Sequence, residues 1–269
     1  MLNALINYQF IRLALAAGIL TSIVCGIIGV IIAEKKLVML SGGIAHTAYG
    51  GVGLGYLCGF EPLLGALGFA ICAACGIGAV NRRKGASSDV ITAMLWSFGM
   101  ALGIVFIALM PGYPPDLNSY LFGNILSVTK LDLYLEAGIC IIVLAIVLIF
   151  YNDWKSYLFD SEFAGIIGLW TTLLEYSLLI MTALAAVILI RVVGIVLILA
   201  LLTAPAAAAS LVTKKLGKRM LLSVLLGIMY CTGGLCISYY FNIPSGATII
   251  IISVLCYFAV YALRKTAKK

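Results

Sequence analysis

The chain has 269 residues, of which 64% are hydrophobic and only 10% are charged, and its mean hydropathy is +1.19. A soluble domain carries about 25% charged residues, so this composition excludes a soluble enzyme, a disordered chain and a secreted disulfide scaffold. The net charge of +7 comes from basic residues grouped in short stretches between apolar runs. This pattern is typical of a polytopic membrane protein, and we expect no nucleic-acid partner.

Nine apolar runs follow one another along the chain, and a bilayer-crossing helix needs about 20 such residues. The runs cover residues 10–33, 37–58, 62–80, 90–110, 131–151, 169–191, 193–212, 220–241 and 246–263. They predict an all-α fold with nine transmembrane helices. Eight is an alternative, because Arg191, Val192 and Val193 alone separate the sixth run from the seventh, and the glycine-rich second run could be broken.

The positions of the basic residues predict the orientation of the chain, since Lys and Arg mark cytoplasmic loops. Fourteen of the 17 basic residues follow an odd-numbered run: Lys35, Lys36, Arg82, Arg83, Lys84, Lys155, Lys214, Lys215, Lys218, Arg219, Arg264, Lys265, Lys268 and Lys269. This alternation predicts an outside N-terminus and a cytoplasmic C-terminus. With short loops and no P-loop motif, we expect one transmembrane domain over residues 1–269 that has no ATPase of its own.

Three ionisable residues lie well inside apolar runs, where charge is costly and usually faces a cavity or the bundle interior. His46 is the only histidine and lies in the glycine-rich second run. A neutral imidazole is a good ligand for a divalent transition metal, although a core histidine bonded to neighbouring backbone is the alternative. Glu136 and Glu175 are candidates for a proton relay or for metal ligands. They could equally be helix-end carboxylates that are paired or that reach an interface.

The predicted cytoplasmic loop at residues 152–168 has the features of a short helix. Asp160 can cap its N-terminus, Ala164 would let a partner surface approach, and Gly168 can end it. The spacing places these three residues on one helical face. Such a helix would either dock into a cytoplasmic partner or serve as an ordinary connector.

Four stretches together resemble the membrane permeases of ABC-type zinc/manganese uptake systems, over essentially the whole chain. The stretches are Leu40–Leu57, Asp89 with Ser119–Leu126, the Asp160 loop with 192–197 and 201–207, and Pro244–Ile249. The resemblance implies a homodimeric permease in the cell membrane. It would receive metal from an extracytoplasmic binding protein and sit on two copies of a separate ATPase. It would need no cofactor, the zinc or manganese ion being its substrate.

The resemblance also implies roles for single residues. His46 would be a transient ligand in the metal pathway, and the coupling helix to the ATPase would contain Asp160, Glu162, Ala164 and Gly168. Two positions depart from the family: Gly42 and Asn124 stand where it often has aspartate. Because manganese prefers carboxylate ligands, the loss at position 42 favours zinc.

The sequence therefore predicts an ATP-driven importer of a divalent metal. The first alternative is a proton- or sodium-coupled secondary transporter that uses Glu136 and Glu175. An intramembrane enzyme is a weaker alternative, because one histidine and scattered acidic residues do not form a catalytic cluster.

Overall fold

The structure is a computed structural model that describes residues 8–82, 88–112, 121, 123 and 125–266. These residues form eleven α-helices and one short 3-10 helix, Ile125–Ser127, and contain no strand. The α-helices are α1 (Gln9–Glu34), α2 (Val38–Cys58), α3 (Pro62–Arg82), α4 (Ser88–Ala108), α5 (Lys130–Ile149), α6 (Tyr151–Phe159), α7 (Ser161–Ile166), α8 (Thr171–Val193), α9 (Ile195–Val212), α10 (Leu216–Phe241) and α11 (Ser245–Thr266).

Each of the nine predicted runs corresponds to one long helix in the described residues, with bounds that agree within four residues. Eight of these helices are long and apolar enough to cross a membrane. The remaining long helix, α2, has 21 residues and is more polar, but every residue from Leu40 to Gly53 is buried. The all-α, multi-pass membrane architecture is confirmed, and α2 is continuous rather than broken.

Contacts at the helix ends show that α2 runs from one end of the bundle to the other. At one end, Glu34 pairs with Arg219, and Lys35 Nζ lies 3.5 Å from the centroid of the Tyr157 ring. At the other end, Arg191 pairs with Glu61, which follows α2. The basic loops after α1, α5 and α9 thus lie together, as their alternation predicts. Arg83, Lys84, Lys268 and Lys269 lie outside the described residues, and the cytoplasmic assignment of this end stays a prediction. We call it the inner end.

The long helices pack in two groups that α8 joins. One group is α2 with α3 and α4, and the other is α1 with α9, α10 and α11. The helix α8 contacts α2 and α3 of the first group and α1 and α9 of the second, and it also contacts α5. Between α8 and α9 the chain turns at Gly194 alone, whose φ of 81° lies in the region that favours glycine. This residue explains how two adjoining apolar runs become two separate helices.

Candidate metal-transport site

His46 lies on α2, where it faces α4, and is only 7% exposed. Its ring stacks on the indole of Trp96, with centroids 4.0 Å apart and planes 12° from parallel. Its Nδ1 atom lies 3.4 Å from the Sδ atom of Met100, one turn further along α4. The interacting groups that the structure records for this imidazole are therefore an aromatic face and a thioether, rather than the backbone partner of the alternative interpretation.

The space beside Gly42 is narrow for a side chain next to His46. A Cβ atom at position 42 would lie 3.2 Å from Cζ3 of Trp96 and 3.5 Å from Leu199 Cδ2. The indole that stacks on His46 thus occupies the side of α2 from which an aspartate would extend. Asn124, the other departure from the family, lies outside the described residues.

The glycines of α2 let the neighbouring helices approach to backbone contact, as small residues do in membrane bundles. A Cβ at Gly51 would collide with the carbonyl of Gly65 on α3, and a Cβ at Gly65 would collide with the carbonyl of Gly51. On the α4 side, a Cβ at Gly53 would lie 2.6 Å from the Gly103 carbonyl oxygen. The glycine-rich sequence therefore serves close packing around His46 and not a helix break.

Within the parts of the chain that the structure describes, no group of three or more His, Cys, Asp or Glu residues could hold a metal ion. One copy of the chain offers at this site the imidazole of His46 and the sulfur of Met100. This set could hold a metal only weakly, and release requires weak binding in a transport pathway. Trp96 and Met100 could not be predicted as neighbours of His46, because nothing in a single sequence shows which residues of α4 face α2.

Glu136 and Glu175 have different surroundings, and no hydrogen bond or ion pair joins them in the described residues. Glu136 is fully buried on α5 and accepts a hydrogen bond from the Thr21 hydroxyl of α1, while its Oε2 has no hydrogen-bond partner among the described residues. It therefore does not reach an interface. Glu175 accepts a 2.7 Å hydrogen bond from Asn81 and lies 3.9 Å from Arg82. Glu175 is paired, and it ties the end of α3 to the start of α8.

An ion-pair group at the outer end, which the sequence did not reveal, connects three parts of the bundle. Arg191 Nε on α8 lies 2.8 Å from Asp132 Oδ1 on α5, and Arg191 Nη1 lies 3.2 Å from Glu61 Oε1 before α3. Asp132 also closes a capping box with Thr129 at the start of α5. Pairs so distant in sequence carry no local signal, although all three residues lie at or next to the ends of apolar runs.

We expect Arg191→Gln to lower the free energy of unfolding by about 1–2 kcal/mol, because it leaves a buried carboxylate without its charged partner. The Asp132 side chain is 7% exposed, whereas that of Glu61 is 58% exposed. Glu61→Gln is the matched control and should cost less than about 1 kcal/mol, since exposed ion pairs contribute little. Thermal unfolding in detergent measures both variants. Equal losses would contradict the importance of the Asp132 pair.

The segment between α6 and α8 contains the predicted short helix, α7. Asp160 caps it: its Oδ1 accepts hydrogen bonds from the backbone N–H groups of Glu162 at 2.9 Å and Phe163 at 3.0 Å. Gly168, with a φ of 88°, follows the last turn, and Leu169 N donates to Ala164 O at 3.0 Å. This is a Schellman ending. The capping and stopping residues are as predicted, although Gly168 lies beyond the helix rather than on its face.

The surfaces of this segment differ from the prediction in one respect. Ala164 is fully buried within the chain, so it does not face a partner as the sequence suggested. The outward surface is instead formed by large apolar side chains: Phe159, Phe163, Ile166, Ile167 and Trp170. Sequence reasoning missed this surface because exposed apolar residues cannot be told from lipid-facing or core residues in a membrane protein.

The α6–α7 segment is also tied to the end of α1. Lys35 contacts the ring of the buried Tyr157. Burial lowers the pKa of Lys35, and the carboxylates of Glu175 and Asp160 oppose this effect. Tyr157 of α6 thus lies against the end of α1.

Comparison with known proteins places this geometry among transport proteins. The model of the ABC 3 transport family matches residues 7–264. The manganese transport system membrane protein MntC of Listeria monocytogenes is 34% identical over 260 residues, which cover 97% of this chain and 92% of that protein. A probable metal transport system membrane protein of Chlamydia pneumoniae is 35% identical over 275 residues, which cover 98% of this chain and 94% of that protein.

Solved structures have the same fold. PsaBC from Streptococcus pneumoniae, in complex with a Fab, contains a chain that is 29% identical, with a TM-score of 0.87 and coverage of 97% of this chain and 94% of that chain. An inward-facing structure of a putative metal-chelate type ABC transporter has a TM-score of 0.77 at 14% identity, covering 97% and 88% of the two chains. The second similarity concerns the fold alone.

Proposed function

The chain belongs to the ABC 3 transport family as an ABC-type metal permease. We propose that it imports a divalent metal into the cytoplasm, with zinc as the first candidate and manganese as the second. Such permeases are the membrane components of systems whose ATPase is a separate chain. The observation that carries the proposal is the placement of His46. It is the only imidazole of the chain, buried in the bundle and facing a thioether.

The choice of zinc before manganese rests on the chemistry of these ligands. Imidazole suits zinc, and thioether is a soft ligand, whereas manganese prefers carboxylate, carbonyl and water oxygen. No carboxylate contacts His46 among the described residues, and Trp96 occupies the space beside Gly42. Manganese is the second candidate because relatives such as the MntC protein of Listeria monocytogenes are named as manganese transport proteins.

The proposed mechanism uses two copies of the chain. Each copy supplies one His46, which Trp96 and Met100 cover within its own bundle. A metal passing between two protomers would therefore meet the two imidazoles only when α2 and α4 move apart, and it would still lack a complete tetrahedral cage. An extracytoplasmic protein would deliver the metal at the outer end. Two separate ATPases would contact the segment between α6 and α8, including Asp160 and Glu162. When the two ATPases close on ATP, they would move that segment against α1 and α8.

Cellular metal content under metal limitation tests this function. We expect cells that lack the chain to lose zinc, as measured by elemental mass spectrometry, and the wild-type chain to restore it. Loss of manganese instead would assign the other substrate. A protonophore in ATP-replete cells distinguishes the secondary transporter that uses Glu136 and Glu175: uptake abolished by the protonophore, with no requirement for an ATPase partner, would contradict the proposal. Unchanged content of every metal in a strain without redundant importers would also contradict it.

The apolar surface of the α7 segment predicts the effect of one substitution on coupling. Phe163 is 56% exposed, so Phe163→Glu should leave the fold intact and place a charge against the ATPase. We expect the amount of co-purified ATPase to fall about tenfold or more, as for loss of a central aromatic contact. Phe163→Tyr, which keeps an aromatic ring at this position and adds no charge, is the control. Normal ATPase binding and transport by Phe163→Glu would show that this surface is not the docking site.

A further inference from the structure

A basic cavity of about 800 Å³ lies at the inner end of the bundle, between the α6–α7 segment and the start of α10. Its cationic lining residues are Lys155, Lys214, Lys215 and Arg219, and Glu34 supplies the acidic group of the lining. His46 is not among the lining residues of this cavity. The other end of the segment, from Gly165 to Trp170, borders a different cavity. Phe159 and Phe163 also line the basic cavity, so its apolar side borders the proposed ATPase contact, whereas its lysines have no role in the proposed transport mechanism.

The charges of this cavity are not balanced within the chain. Glu34 pairs with Arg219, whose Nε also donates to the Thr213 carbonyl oxygen at 3.2 Å. In the part of the chain that the structure describes, the three lysines of the lining have no acidic partner within ion-pair distance. The lining therefore carries the charges of three lysines that have no carboxylate partner among the described residues.

The start of α10 adds to this positive potential. Lys215 occupies the N-cap position and gives no side-chain hydrogen bond to the first turn, which also contains no acidic residue. Cations at the positive end of a helix dipole are unfavourable, whereas free N–H groups in that place bind anions such as phosphate. A bound anion would compensate both the lysines and the helix end.

The cavity is at the level of lipid headgroups, since it lies where α1, α5, α9 and α10 begin or end. Apolar side chains are exposed at the helix ends that adjoin the lining residues in sequence: Ile149 at the end of α5, Phe150 directly after it, and Val212 at the end of α9. Basic pockets between transmembrane helices on the cytoplasmic side are suited to anionic lipid headgroups. We propose that this cavity binds the phosphate of an anionic phospholipid, whose acyl chains lie against these exposed apolar residues.

Lipid retention by the purified full-length chain tests the proposal without reference to transport. The chain is placed in nanodiscs of phosphatidylglycerol and phosphatidylcholine, extracted, and analysed by native mass spectrometry for bound lipid. We expect selective retention of phosphatidylglycerol, and a loss of about 25-fold in its binding by the double variant Lys214→Gln/Lys215→Gln, from about fivefold for each lysine. Lys218→Gln/Arg264→Gln removes the same charge away from the cavity lining and should retain the lipid.

Four results would overturn the proposal. The first is equal retention of phosphatidylglycerol and phosphatidylcholine. The second is an equal loss in the cavity variant and the control variant, which would indicate general surface charge. The third is complete displacement by millimolar inorganic phosphate, which would indicate a site for a free anion. The fourth is absence of the lipid whenever the ATPase is bound, which would assign the cavity to that protein. Unfolding temperatures of both variants equal to that of the wild type establish that they are folded.

Discussion

Replacing His46 with alanine is expected to reduce metal uptake to the level of cells that lack the chain. The substitution removes the only imidazole of the chain, and in a dimer it removes both. Loss of a group that hydrogen-bonds to a metal ligand already costs about 10–100-fold in metal affinity or activity. Loss of the ligand itself should cost at least as much. Metal content is measured by elemental mass spectrometry under limitation, with the variant present in the membrane at normal abundance.

Two further variants make this result specific. Tyr49→Phe alters another buried residue of α2 and should leave uptake unchanged. Met100→Leu removes the sulfur that faces Nδ1 at 3.4 Å but keeps the volume of the side chain. We expect it to reduce zinc uptake several-fold while manganese uptake changes less, because thioether is a soft ligand. Normal uptake by His46→Ala would show that His46 is a core residue of the α2–α4 interface.

Replacing Gly65 with alanine is expected to destabilise the bundle by about 2–3 kcal/mol, since an added methyl in closely packed structure forces the backbone to move. The added Cβ would collide with the Gly51 carbonyl of α2, and no flexible side chain is there to yield. Gly68→Ala, three residues along the same helix, is the matched control because no atom lies within 4 Å of its Cβ position. It should raise stability by up to about 1 kcal/mol through helix propensity.

Thermal unfolding of the purified variants in one detergent compares the two glycines. The apparent unfolding temperature should fall for Gly65→Ala and stay the same or rise for Gly68→Ala. Similar unfolding temperatures for both variants would contradict the close contact between α2 and α3. Because His46 lies on α2, a weakened α2–α3 contact should also lower transport at temperatures where the protein remains folded.

The long helices could be predicted from sequence because each is a continuous apolar run of sufficient length. The capping of α7 by Asp160 could also be predicted, since a cap depends on residues two and three positions away. The surroundings of His46 could not. Trp96 and Met100 are about 50 residues distant, and Glu136 and its partner Thr21 are 115 residues apart. Lateral packing in a membrane bundle leaves little pattern in the sequence, because helices are apolar on lipid-facing and protein-facing sides alike.

The single-residue turn at Gly194 bears on how the chain enters the membrane. Since α8 ends at Val193 and α9 begins at Ile195, no hydrophilic loop separates them. The apolar helix α9 therefore cannot remain outside the bilayer while α8 inserts. We expect the two helices to enter the bilayer together as a hairpin. The Arg191 side chain then crosses with them, at a cost of about 2.5–3.5 kcal/mol at the bilayer centre that the two apolar helices offset. On the predicted orientation, Asp132 of the earlier helix α5 is already in place at the outer end to receive it.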